Sequence, residues 1–177
     1  MAILPIIKFP NPILTRVSVP VTEFGPDLKE FAKDMLDTLI AAPGAGLAAP
    51  QVARNIRLIV IDDSEIDEPH YVRTLTLVNP EITAAEGKQV YKEGCLSVTD
   101  LEANVNRSER VEVSFLDLDG NPRTLSAEGR KAVILQHEID HLDGILFIDH
   151  LSPLKREMYV KSLRKKKKDK DKEPQKS

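Results

Sequence analysis

The chain has 177 residues, a formal charge of -3, hydrophobic residues at 41% and charged residues at 30%. That balance suits one folded domain with a sizeable core and leaves too little chain for a second, and the single cysteine, Cys95, excludes a disulfide within the chain. The apolar start "MAILPIIKFPNPIL" is broken by Pro5, Pro10 and Pro12 and has neither a basic leader nor a small-residue cleavage pattern, so no signal peptide or membrane span is expected and the cytoplasm is the expected compartment.

In "DLKEFAKDMLDTLIA", residues 27–41, Leu28, Phe31, Met35 and Leu39 recur at helical spacing and predict an amphipathic helix, with Asp27 expected to accept bonds from the first-turn amides. It is expected to stop at "APGAG", where Pro43 removes a donor and Gly44 or Gly46 can take positive φ. The segments "IRLIVID" at 56–62 and "TLTLVNP" at 74–80 predict strands, and "RVEVSFLDLDGNPRTL" alternates on both sides of Asp119 and Gly120, which predicts a hairpin. Ser126 is then placed to cap a helix whose "AVIL" segment is apolar on every side, a helix expected to run through the core. Ser152 and Pro153 signal the N-cap and first residue of a last helix. Strands precede the apolar helix instead of alternating with helices. The expected fold is therefore α+β, with mainly antiparallel sheets wrapped around a central apolar helix. After Leu163 the chain has almost nothing to bury, so residues 1–163 are expected to form the domain and 164–177 a charged, frayed tail, or else a basic patch for an anionic partner such as ribosomal RNA.

The apolar helix carries the sequence "QHEIDHLDG". Positions four apart return to the same helical face, so His137 and His141 project together and can bind one cation. Glu138 lies next to that face and can reach a water held by the metal, as its general base. A buried helix with satisfied histidines is the competing reading, and a third ligand decides between them. The pattern HExxHxxGxxH has its glycine, Gly144, but Phe147 stands where its last histidine would be. Glu157, on a later helix, has no supporting motif. The remaining candidate is Cys95 in "EGCLS", on a strand edge beside Gly94. One sulfur and two nitrogens leave a tetrahedral position for water, the arrangement of a hydrolytic centre, and suit Zn²⁺, Fe²⁺, Co²⁺ or Ni²⁺.

With "GAGLAAPQ" at 44–51, "EGCLS" at 93–97 and "QHEIDHLDG" at 136–144 in that order, and "FPNPIL" and "LSPLKR" around them, the chain resembles the peptide deformylases over nearly all residues up to about 160. These enzymes remove the N-formyl group from newly made bacterial proteins. The resemblance implies Cys95, His137 and His141 as metal ligands, Glu138 as general acid and base, and Gln51 with the Leu96 amide as the oxyanion hole. It implies a peptide deformylase-like catalytic domain over 1–163 and Fe²⁺ as the usual ion, replaceable by Zn²⁺, Ni²⁺ or Co²⁺. Formyl-methionyl nascent peptides are the implied substrates, with a possible ribosome contact through the basic tail and no membrane partner.

Substrate contacts are expected at Gly44, Ala45 and Gly46, at Gly94 as the edge of an added β-strand, and at Val133 and Ile134 as the lining of a methionine recess. Glu93 and Gln136 are expected to orient the site from behind, and Asp140 and His150 to have structural or exposed roles. Many relatives continue "EGCLS" with a hydrophobic residue, a proline and then an arginine. Here Thr99 and Glu102 stand instead, which predicts a less restricted loop and a reversed charge near the channel. A general zinc peptidase and a catalytically idle binding module are the rival readings.

Overall fold

The computed structural model describes residues 2–63 and 74–172. The predicted stripe of Leu28, Phe31, Met35 and Leu39 is buried on helix α1 (Pro26–Ala41), packed on β1 (Gly46–Ala48) and β2 (Leu58–Asp62). β2 also explains the unbroken apolar run in its sequence. Leu58 and Val60 face α1, whereas Ile59 and Ile61 face the opposite cluster, so both sides of the strand are covered and no polar alternation is needed.

β3 (Thr74–Glu86), β6 (Arg110–Leu116) and β7 (Pro122–Glu128) complete an antiparallel sheet in the order β1-β2-β3-β6-β7, while β4 (Gln89–Cys95) and β5 (Val98–Arg107) pair as a separate antiparallel ribbon. The expected hairpin is β6–β7, turned at Asp117–Asn121 with Gly120 at φ +82°. Helix α2 (Gly129–Leu142) packs Ala132, Leu135, Ile139 and Leu142 on the sheet face opposite α1. Behind the ribbon, Val98 and Val105 join Leu14, Leu146, Phe147 and Tyr159 in a third apolar cluster. The architecture is the expected α+β type with antiparallel sheets.

Several local expectations give way. Asp27 is not a cap: Gly25 precedes the helix, Pro26 supplies its fixed φ, and Asp27 sits inside the first turn where its charge favours the helix dipole. Ser126 lies in β7, and α2 starts three residues later with no side-chain cap. Neither Gly44 nor Gly46 has positive φ. Ser152 does cap the last helix, its Oγ accepting from the Lys155 amide at 3.3 Å ahead of α3 (Pro153–Lys172). α3 continues through Lys172, beyond where fraying is expected, with Lys166 paired to Asp100 at 2.9 Å; residues 173–177 lie outside the described residues. Among the described residues no helix is long and apolar enough to cross a membrane.

Gly144 closes α2 at φ +73°, and a Cβ there would lie 2.6 Å from the Thr15 carbonyl oxygen. Backbone cannot yield as a side-chain tip can. Gly144→Ala is expected to destabilise the fold by about 1–3 kcal/mol in urea unfolding. A loss below about 0.5 kcal/mol, the range of a neutral surface change, would show that this turn is not constrained.

Candidate metal centre and substrate cleft

Two elements deliver the three candidate ligands. α2 places His137 and His141 on one face, with ring centroids 5.0 Å apart, and β4 ends at Cys95. The ligand atoms of Cys95, His137 and His141 all lie within 4.8 Å of one another. The sulfur is 3.3 Å from His141 Nε2 and receives the Ser97 amide at 3.4 Å and Gln51 Nε2 at 3.6 Å. Among the described residues this is the one cluster of histidine, cysteine or carboxylate groups able to hold a metal ion. Phe147 is buried and stacks on His137 with centroids 6.1 Å apart, and Glu157 pairs with Lys161 on the exposed face of α3, so neither protease-type third ligand is present.

Glu138 is 4% exposed, and its Oε2 is buried without a hydrogen-bond partner. Burial pushes its carboxyl up to about 7. Gly46 is what lets it sit there: a Cβ at Gly46 would be 2.5 Å from Glu138 Oε1, so this glycine serves close approach, not backbone conformation. Gly44 is similarly pressed by Leu96, whose Cδ1 would lie 2.8 Å from an added Cβ. Gln51 is almost wholly buried. Its Oε1 accepts the Ala48 amide at 2.8 Å, which orients Nε2 toward Ser97 Oγ at 3.1 Å and the Cys95 sulfur.

Glu93 holds His137 from behind, with Oε1 2.7 Å from Nδ1, leaving Nε2 for a ligand. Sequence reasoning anticipated that residue but missed its partner. Arg107, 6% exposed, donates to both oxygens of Glu93 at 2.7 and 2.9 Å and to Asp140 at 2.6 Å, and Asp140 in turn meets His150 at 2.8 Å. Burial alone would raise the Glu93 carboxyl, but the bonds from Arg107 and His137 outweigh it and hold it at about 2. Burial depresses His141, with His137 and Arg107 adding to it, whereas in His137 the contacts with Cys95 and Glu93 overcome burial and raise it well above the usual range. The one sequence signal for Arg107 is strand alternation, which puts it on the inward face with Val105. Gln136 does not orient the site as expected; it clamps the backbone of Ser108 and Ala132.

These groups open on a cleft of ≈ 1610 Å³, larger than the roughly 300–1,000 Å³ of small-molecule pockets and sized for a length of peptide. Gly44, Ala45, Gly46, Gly94, Val133 and Ile134 all line it. Thr99 and Glu102 line it too, but not as a loose loop. They bulge from β5 opposite Gly94, the Thr99 carbonyl accepts from Tyr159 OH at 2.9 Å, and Glu102 is neutralised by Lys92 at 2.7 Å.

Similarity to known proteins covers nearly the whole chain. Residues 3–157 match the family described as Polypeptide deformylase. Peptide deformylases of Brucella suis and Mesorhizobium japonicum are 48% and 49% identical, over 93% and 96% of this chain and 94% and 96% of theirs. Among solved structures, a peptide deformylase from Legionella pneumophila superposes with a TM-score of 0.85 at 42% identity, covering 98% of this chain and 100% of that one. Peptide deformylase from Ehrlichia chaffeensis in complex with actinonin gives 0.86 at 35% identity, covering 94% and 98%.

Arg107→Met removes the cation between two carboxylates and leaves Glu93 with His137, and Asp140 with His150, as the remaining partner of each. A loss on the order of 3–5 kcal/mol is expected in chemical denaturation, because a buried carboxylate that loses its cation costs more than the pair contributes. A loss below about 1 kcal/mol would mean that the network is hydrated.

Proposed function

The chain belongs to the polypeptide deformylase family, and from that premise we propose that it is a metal-dependent hydrolase that removes the formyl group from formyl-methionine of newly made chains, releasing formate. The observation that carries the reading is the convergence of Cys95, His137 and His141 beside buried Glu138 at a peptide-sized cleft. One sulfur and two imidazole nitrogens fit a single divalent ion with a tetrahedral position to spare, and the unpartnered Glu138 Oε2 fits a carboxyl that exchanges a proton with water. Cys95, His137 and His141 would hold the ion. When bound it supplies Lewis acidity and lowers the pKa of water. Fe²⁺ is the native ion in this reading, and the same donors accept Zn²⁺, Ni²⁺ or Co²⁺.

The remaining steps belong to the chain. Glu138 takes the proton of the attacking water and passes it to the leaving amine, a double duty suited to a carboxyl raised to about 7. Gln51 Nε2 and the Leu96 backbone amide donate to the oxyanion, each worth about 3 kcal/mol in comparable sites. Gln51 arrives pre-oriented by its bond to Ala48. A snug fit around formyl hydrogen disfavours an acetyl methyl, although one methyl alone is worth only about 1–3 kcal/mol.

Alignment of the peptide adds to that. β1 ends the five-stranded sheet and β4 has β5 on one side only, so each offers a free edge, at Gly46 and Gly94, to an extended substrate. Val133 and Ile134, one turn before His137, line the methionine recess, and Gly44 and Ala45 keep the adjoining wall low. The catalytic domain ends near Leu163, the last side chain packed on the apolar clusters, and 164–177 forms a charged extension. Newly made chains imply the cytoplasm as the working compartment, and the exposed Lys165–Lys168 run supports a ribosome contact through electrostatics.

Glu138→Ala separates this reading from both rivals. It is expected to keep about one ion per chain by elemental analysis while formate release from a formyl-methionyl peptide falls roughly 10²–10⁴-fold. Wild-type turnover in the variant would remove Glu138 from the mechanism. A wild-type protein that cleaves unformylated peptides internally would favour the general peptidase.

A further inference from the structure

Most charges around the cleft are paired, but the Lys8 ammonium meets only a backbone carbonyl, and Arg130, at the outer end, meets no partner among the described residues. Lys92 pairs with Glu102 at 2.7 Å, Asp100 with Lys166 at 2.9 Å, and Glu93 with Arg107, while Lys8 donates to the Leu96 carbonyl. Next to Arg130, Lys131 is tied to Asp63 and Glu128 to Arg110. Arg130 itself lines the cleft, is exposed, and has no ion pair or hydrogen bond among the described residues. It does nothing for its helix either. At the second position of α2, a guanidinium opposes the helix dipole.

Its position along the cleft is defined by the helix. Arg130, Val133 and Ile134, and His137 follow one another at helical spacing on the face that lines the cleft, so Arg130 stands seven residues, about 10 Å, from the candidate metal ligand and one turn beyond the methionine recess. An extended peptide covers the same distance in about three residues. Tyr91, four residues before Cys95 on β4, lines the same cleft and places the free strand edge alongside.

We propose that Arg130 is a specificity-determining residue that makes this cleft favour formyl-methionyl chains bearing an acidic side chain at the second or third residue. The inference rests on the deformylase reading and adds to it a substrate class. The selecting charge is on the helix side of the cleft. Glu102, on the ribbon side, does not counter it, because Lys92 already satisfies that carboxylate.

The test is a panel of formyl-methionyl tripeptides with glutamate, serine or lysine at position two or three, compared by kcat/KM at about 50 mM salt. A solvent-exposed ion pair is a modest effect, so the glutamate-to-lysine ratio is expected to be on the order of 5 at one of these positions and to shrink toward 1 near 0.5 M salt. Arg130→Gln should bring the low-salt ratio to about 1 and Arg130→Glu should invert it. Arg16→Gln, the same charge change at an exposed residue outside the cleft, should leave the wild-type ratio in place. Equal turnover of glutamate and lysine peptides by wild type, or a preference that survives Arg130→Gln, would overturn the inference while leaving the deformylase reading intact. Failure to hydrolyse even the serine peptides would overturn that reading, and this inference with it.

Discussion

Arg107 reaches from the β4–β5 ribbon into the protein and places its guanidinium between Glu93 of the same ribbon and Asp140 of α2, with all three side chains largely shielded from water. The ribbon has no ladder to the five-stranded sheet. This charged junction ties it to α2, together with the Glu93–His137 contact and the bonds of Gln89 to the Gly129 carbonyl and of Gln136 to the Ser108 backbone, while its other face packs on the apolar cluster around Phe147 and Tyr159. The consequence is local and exact in position. Glu93 and Cys95 are two residues apart on β4, so the carboxylate that holds His137 also sets how far Cys95 stands from His141. A buried ion pair is not by itself a large source of stability, but leaving any member unpaired is costly, and that asymmetry makes the arrangement all-or-none.

The second constraint runs the other way, toward an instability that the proposed chemistry would use. Glu138 is buried against Gly46 with one oxygen unpartnered, a placement that costs free energy. The same burial raises its carboxyl to about 7, where a proton is readily taken and returned. The glycine and the glutamate are therefore one feature. A side chain at position 46 would drive the carboxylate away from the cluster that Cys95, His137 and His141 form.

Much of this was legible in the chain because it rests on periodicity. The α1 stripe, the β6–β7 hairpin and the shared face of His137 and His141 follow from spacing of 3.6 or 2 residues. Cys95 was reachable by elimination. What escaped depends on residues far apart in sequence. Arg107 stands 14 residues from Glu93 and 33 from Asp140, and no local pattern couples them. Helix starts failed where propensity was read as geometry: Ser126 had the right chemistry for a cap, but pairing with Glu112 keeps it in β7. Gly46 is readable from the chain as a turn or a substrate contact, but the carboxylate that presses on it stands 92 positions later. Thr99 has no proline to restrain it, but Tyr159, 60 residues later, donates to its carbonyl.

The proposed chemistry requires a sulfur and two imidazoles to share one ion. X-ray absorption on the zinc-loaded wild-type protein measures this directly, since sulfur and light-atom shells separate in distance. One sulfur at about 2.3 Å, with two imidazole nitrogens and one further light atom at about 2.0–2.2 Å, is the expected first shell. A shell without sulfur, or one closed by a third imidazole, would contradict it.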